Sequence, residues 1–363
     1  MVSRRSFVTT TAAVLGAPMI NRGCFRLFAQ SNEVYSTRAI DLVRGSTVID
    51  MLGLLTLSPR KMWDWQTKPD RFTLADLQRL KDSGITIFHP AVGWVDGDIY
   101  SASLRDITGW NTFIEGNSAD FIRVDGPADL TRAKELGKIG IVIGQQNSNH
   151  FRTVDDVDHF YALGQRVSQL TYLPNRIGGG STDPHDTGLT EYGRQIVARM
   201  NELGMVVDIS HCADRTTLDA IEASTKPVLV THSNCRALVP GSARCKTDPA
   251  LRKLASKGGV MGITMVRFFV GGGRQVTIEN VLNHIDHVIS LVGVEHVGVG
   301  TDVDLDGRDH KGSTRRSDLD GINYEKKIYD LAEGLIRRNY SQASIELILG
   351  GNFQRVLSEI WAV

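Results

Sequence analysis

His211 and His232 close two short apolar runs, Val206–His211 and Pro227–His232, and Asp302 lies near the end of a third, His296–Val303. Neighbouring strands lie about 4.8 Å apart, so two histidines ending adjacent strands can converge on one point. Neutral imidazole suits Zn2+, and an acid opposite can take a proton from metal-bound water. These three residues therefore point to a metal or catalytic site, with His211 and His232 as candidate ligands. Other polar run ends are Gln145-Gln146-Asn147, Tyr172, and Asp208 with Ser210. His89, just before Pro90, is a weaker candidate. His284 and His287 fall on a helical pattern, His296 opens its run, and His150, His159, His185 and His310 fall in helices or loops; these read as packing or surface groups. Cys212 and Cys235, beside the candidate ligands, read as small buried residues.

Eight apolar, β-branched runs would position these groups: Thr47–Leu55, Thr86–Gly93, Ile139–Gln146, Gln169–Leu173, Val206–His211, Pro227–His232, Gly259–Val266 and His296–Val303. Near-continuous apolar segments suit parallel strands buried on both faces. Helical patterns lie between them, at Leu74–Ser83, Asp129–Leu136, Gly188–Gly204, Thr216–Ser224, Pro249–Ser256 and Thr277–Val292. Strand and helix alternating eight times predict an α/β fold, the (β/α)8 TIM barrel, in which chemistry sits at the C-terminal strand ends. An open doubly wound sheet is the competing reading, but no GxGxxG follows the first run. Two long connections, Trp94–Asp120 and Arg176–Thr187, break the rhythm, and Tyr324–Val363 reads as two closing helices.

Lys+Arg and Asp+Glu are both 41, so the formal charge is zero and nothing favours nucleic acid or an anionic membrane as partner. No apolar run approaches the roughly 20 residues of a spanning helix. Residues 1–29 read instead as a twin-arginine export signal, from Arg4-Arg5 ahead of a weak apolar stretch to a cleavage point near Ala29. That leaves a barrel domain over 30–363, export machinery as a partner, and a periplasmic or otherwise exported protein. Past the signal, Cys212, Cys235 and Cys245 remain, and their spacing dictates no disulfide.

Several segments in order resemble the membrane (renal) dipeptidase family: Asn201-Glu202-Leu203-Gly204-Met205-Val206-Val207-Asp208-Ile209-Ser210-His211, Thr231-His232-Ser233-Asn234, Gly298-Val299-Gly300-Thr301-Asp302 and Gly351-Asn352-Phe353-Gln354-Arg355-Val356. The resemblance runs from about residue 45 to the end. It implies an amidohydrolase-like barrel that hydrolyses dipeptides with two zinc ions joined by a carboxylate. It places His211 and His232 on one metal and gives Asp302 the attacking water and leaving amine. It gives Arg244, in a loop one residue longer here, the substrate carboxylate. Tyr172 stands where some members carry a polarising histidine, and a phenol can donate one hydrogen bond in its place. A homodimer is a family-level expectation.

The pattern breaks at the first strand. The family's Asp-x-His-x-Asp becomes Asp50-Met51-Leu52-Gly53-Leu54, and Gln146 replaces the bridging glutamate. Two dications about 3.5 Å apart repel by about 19 kcal/mol at an effective dielectric of roughly 20, and anionic ligands must offset that. Leu52, Leu54 and Gln146 supply no charge, which argues against a dinuclear centre. One divalent metal, Zn2+, on His211 and His232 is the expectation, with Asp302 and the Gln146 amide oxygen nearby; a metal-free pocket is the alternative.

The function expected is hydrolysis of an amide in a small dipeptide or related carboxylate-bearing substrate. Asp302 and Tyr172 would be catalytic, and Arg244 and Gln146 would bind substrate. A lyase or isomerase, or a non-catalytic exported binder, are the competing readings.

Overall fold

Short runs of Val, Ile, Met and Phe pair in parallel because helices cover them outside and their neighbours fill the barrel inside. A computed structural model describes residues 24–26, 34–309 and 316–362. The eight staves are β1 (Ile49–Asp50), β2 (Ile87–Phe88), β3 (Ile139–Ile141 continuing as Gly144–Gln145), β4 (Val167–Gln169), β5 (Val206–Asp208), β6 (Leu229–Ser233), β7 (Val260–Ile263) and β8 (Val297–Val299). β8 pairs with β1, and β3 reaches β2 through Ile141 and β4 through Gly144 and Gln145, which closes the ring. A bridge from Val92 to Gln145 seals that join, and Phe121–Arg123 adds an outer strand beside β3. The (β/α)8 expectation holds.

Ile49, Ile87, Val167, Val206, Leu229 and Val260, near the strand starts, share one apolar cluster with Phe353, Val356, Leu357 and Ile360 of the final helix, Asn352–Trp361. That helix plugs the N-terminal mouth, and Asn352 ties it to β8 by donating Nδ2 to Val297 O at 2.8 Å. The other mouth is left for the polar strand ends. A larger cluster packs between staves and surrounding helices and includes Ile196, Val197 and Met200 of Glu191–Leu203.

Two readings of the sequence need correction. The fourth stave ends at Gln169, because Leu170 N bonds Asp208 O and the chain then turns, so the apolar run through Leu173 outlasts the ladder. The connection Trp94–Asp120 contains an 18-residue helix, Ile99–Gly116. Asp98 caps it by accepting from Ser101 N, and Ile107, Trp110, Phe113 and Ile114 form its buried face.

The export signal expected over 1–29 lies outside the described residues except for Cys24–Arg26, which pair antiparallel with Val34–Ser36. No helix among the described residues is long and apolar enough to cross a membrane. Cys212, Cys235 and Cys245 are free and buried.

Candidate active site

Two carboxylates lock the strand ends that carry the site. Asp208, ending β5, accepts from Ser210 N at 2.9 Å, Ser210 Oγ at 2.5 Å, Thr231 N at 3.0 Å and Thr231 Oγ1 at 2.7 Å. Asp50, ending β1, accepts from Thr301 N at 2.8 Å and Thr301 Oγ1 at 2.6 Å. Each buried acid is satisfied by the neighbouring strand, so β5 is held to β6 and β1 to β8 at the height of the site.

The first latch also sets two imidazoles. The Thr231 hydroxyl gives its hydrogen to Asp208, so at 2.8 Å it accepts from His232 Nδ1. His232 Nε2 then bears a lone pair, and His211 Nε2, 3.1 Å away, donates to it. Burial first, then the Arg244 cation, holds both imidazoles well below the usual histidine range, so both are neutral. The Tyr172 ring stacks on His211 with centroids 4.2 Å apart and an interplanar angle of 22°.

Asp302 follows β8 with φ of 58°, a left-handed backbone that a non-glycine residue adopts at a cost. Its amide donates to Leu52 O at 2.9 Å. Burial raises its carboxyl above the ordinary aspartate range, while Arg308 and Arg244 pull the other way. Arg308 grips this residue twice, donating Nε to the Asp302 carbonyl at 2.6 Å and Nη2 to Oδ1 at 2.5 Å.

These groups meet at a cavity of about 440 Å³ in the C-terminal mouth. Gln146, Tyr172, His211, Asp302 and Arg308 supply its polar wall, and the rest is largely apolar, including Leu54, Leu57, Met62, Trp94, Trp110 and Phe269. Gln146 is fixed by donating Nε2 to Ala91 O at 2.8 Å. Five of the six residues singled out from sequence sort into or beside this cavity: Asp302, Tyr172, Gln146 and His211 line it, and His232 lies against His211. Arg244 is not in the wall. Its Nη1 donates to Ser210 O at 2.6 Å and Ser233 Oγ at 3.1 Å, and its Nη2 to His232 O at 2.7 Å.

The expected metal is corrected. Among the described residues, no group of three or more His, Cys, Asp or Glu side chains is placed to hold a metal ion. The donor set explains why. Protein zinc sites use at least three protein ligands, and here His211 and His232 stand alone. On the first strand's end, Leu52 and Leu54 offer no donor and cluster with Ala91. Asp302 is held by Arg308. His89 Nδ1 bonds Met51 O at 2.7 Å, and its buried Nε2 has no partner among the described residues. The Zn2+ expected on His211 and His232 does not fit these residues.

Sequence reasoning missed Arg308, Trp94 and Trp110. The usable signal for Arg308 was its place six residues past Asp302, in the loop after the last strand, where barrel enzymes carry functional side chains. The tryptophans sat in a segment read as a loop.

Residues 36–363 match the sequence model of the family described as membrane dipeptidase (peptidase family M19). The chain is 30% identical over 237 residues to dipeptidase tcpJ of Claviceps purpurea, covering 64% of this chain and 53% of that protein. It is 31% identical over 263 residues to dipeptidase verJ of Clonostachys rogersoniana, covering 71% and 65%. The matched region thus spans about half to two thirds of these curated relatives. A solved structure of an amidohydrolase from Pseudomonas aeruginosa is similar with a TM-score of 0.77 and 30% identity, over 90% of this chain and 99% of that one. The barrel is of the amidohydrolase type.

Proposed function

The chain belongs to the membrane dipeptidase family, and from that premise we propose that it hydrolyses the amide bond of a small, carboxylate-bearing dipeptide or related amide. The observation that carries this reading is the convergence of Asp302, Tyr172, His211 and Gln146 on one largely apolar cavity.

Hydrolysis adds water across the C–N bond. In this reading the Asp302 carboxylate takes a proton from the attacking water as its oxygen bonds the carbonyl carbon. The Tyr172 hydroxyl donates to the oxygen that gains negative charge. When the C–N bond breaks, Asp302 returns the proton to the leaving amine. His211 keeps the Tyr172 ring in place by stacking, and Gln146 offers its amide oxygen to a substrate N–H. Arg244 acts from behind, bracing the ends of β5 and β6 through Ser210 O and His232 O.

The test is a dipeptide panel, including C-terminal D-residues, read by release of free amine from the full-length chain. Turnover is expected, and Asp302→Asn should lower kcat by about 10²–10⁴-fold. Absence of turnover across the panel, or full activity in Asp302→Asn, would contradict the proposal.

The Arg4-Arg5 pair supports export to the periplasm by the twin-arginine route. Replacing both arginines with lysine should then retain the protein in the cytoplasmic fraction. Dimer formation is proposed on family grounds alone, and light scattering decides it.

A further inference from the structure

Among the described residues, Arg308 is the one cationic side chain in the cavity wall. Its guanidinium uses Nε and Nη2 on Asp302, and its Nη1 has no hydrogen-bond partner among the described residues. The side chain is 29% exposed, so it is neither sealed into the core nor free in solvent. Arg244, by contrast, spends both terminal nitrogens on Ser210 O, Ser233 Oγ and His232 O. An anion at Arg244 would have to displace those acceptors.

The loop that presents Arg308 is built to hold it still. Asp318 accepts from Arg308 N at 2.7 Å and from Asp309 N at 3.1 Å, and Asp309 in turn accepts from Ser317 N at 2.6 Å. Gly307 makes the turn at φ of 79°, and a Cβ there would come within 2.5 Å of the Asp318 carboxylate. A fork fixed this way loses little freedom on binding.

We propose that Arg308, rather than Arg244, holds the substrate carboxylate, and that the preferred substrate joins this carboxylate to an apolar side chain lying against Leu57, Met62, Trp94 and Phe268. This rests on the amide-hydrolase reading above. The chemistry follows from the wall. An anion entering an apolar cavity is costly unless a cation meets it there, and Arg308 is the cation present. It presents planar donors suited to a carboxylate. Its position between Asp302 and the incoming anion also keeps the two negative groups apart.

The test reads binding without turnover. Trp94 and Trp110 line the cavity, so their fluorescence, or calorimetry, reports on two probes that carry no amide, 4-phenylbutyrate and 4-phenylbutanol. The wild-type protein should bind the carboxylate at least about tenfold more tightly than the alcohol. Arg308→Gln should abolish that preference, Arg308→Lys should keep part of it, and Arg244→Gln should keep most of it. Thermal melts establish that each variant is folded, and the two Arg308 variants decide the matter if Arg244→Gln is not. A preference that survives in Arg308→Gln, or one that is absent from the wild type, overturns the proposal. A carboxylate preference that is lost in Arg308→Gln, in a protein that cleaves no dipeptide, upholds Arg308 as the anchor and sinks the hydrolase reading alone.

Discussion

Tyr172 stacks on His211, ring centroids 4.2 Å apart, so the phenol three residues past the fourth strand is oriented by the imidazole three residues past the fifth. Gly93 also packs against the tyrosine ring, where a Cβ would come within 2.7 Å of it. The ring is thereby held at the cavity wall by contacts that do not use the hydroxyl.

Tyr172→Phe keeps the stack and loses only the donor. Removing one donor to a developing oxyanion costs about 10²–10³ in kcat, so kcat should fall by that order with KM little changed. Gly93→Ala should push the ring aside and give a similar loss with the hydroxyl present. Steady-state kinetics on one dipeptide separates these outcomes from a general loss of fold, which would lower the active fraction instead.

The Asp208 latch should be worth far more than a surface polar contact. It accepts four hydrogen bonds in a fully buried setting. Asp208→Asn leaves donors facing donors and should cost about 2–3 kcal/mol in urea unfolding. Thr231→Val should cost about 2 kcal/mol, since it also strands His232 Nδ1. The two changes share a network, so the double variant should fall short of additivity. Independent, additive effects would contradict the latch.

Asp106, buried on the helix Ile99–Gly116, accepts from Gln66 Nε2 at 2.8 Å and Gln145 Nε2 at 2.7 Å. Burial pushes its carboxyl up to about 6, against those two hydrogen bonds. A carboxyl with a raised folded pKa is protonated more readily in the folded chain than in the unfolded one. Folding stability from this group is therefore greatest below about pH 4 and declines as pH rises through about 6. Asp106→Asn removes that slope. Relative to wild type it should gain stability between pH 4 and 7, by up to about 3 kcal/mol. His150, which burial lowers to about 4, has the opposite sign, losing its contribution as pH falls from 6.5 towards 4. Paired unfolding curves for wild type and Asp106→Asn across this range isolate the aspartate, and a constant difference would refute the assignment.

The barrel was legible because each stave is an apolar run bounded by turns, and the gathering of Asp302, His211 and Tyr172 at one cavity was legible because strand ends converge at the barrel mouth. The metal was not. Ligation depends on a third donor in range, and spacing along the chain does not say that Arg308 occupies Asp302. Arg244 carried the expected charge, but sequence cannot show that Ser210 and His232 carbonyls consume it. The helix Ile99–Gly116 was hidden because its apolar face mixes Trp110 and Phe113 with Ser103 and Asp106, which are buried too.

In the proposed reaction the amide bond is cleaved between Asp302 and Tyr172. A crystal structure of Asp302→Asn holding a dipeptide that the wild type cleaves tests it most directly. The account predicts the scissile carbonyl oxygen within about 2.6–3.2 Å of the Tyr172 hydroxyl, with residue 302 on the side from which water attacks. A dipeptide seated outside the cavity, or one whose carbonyl turns away from both residues, would contradict it.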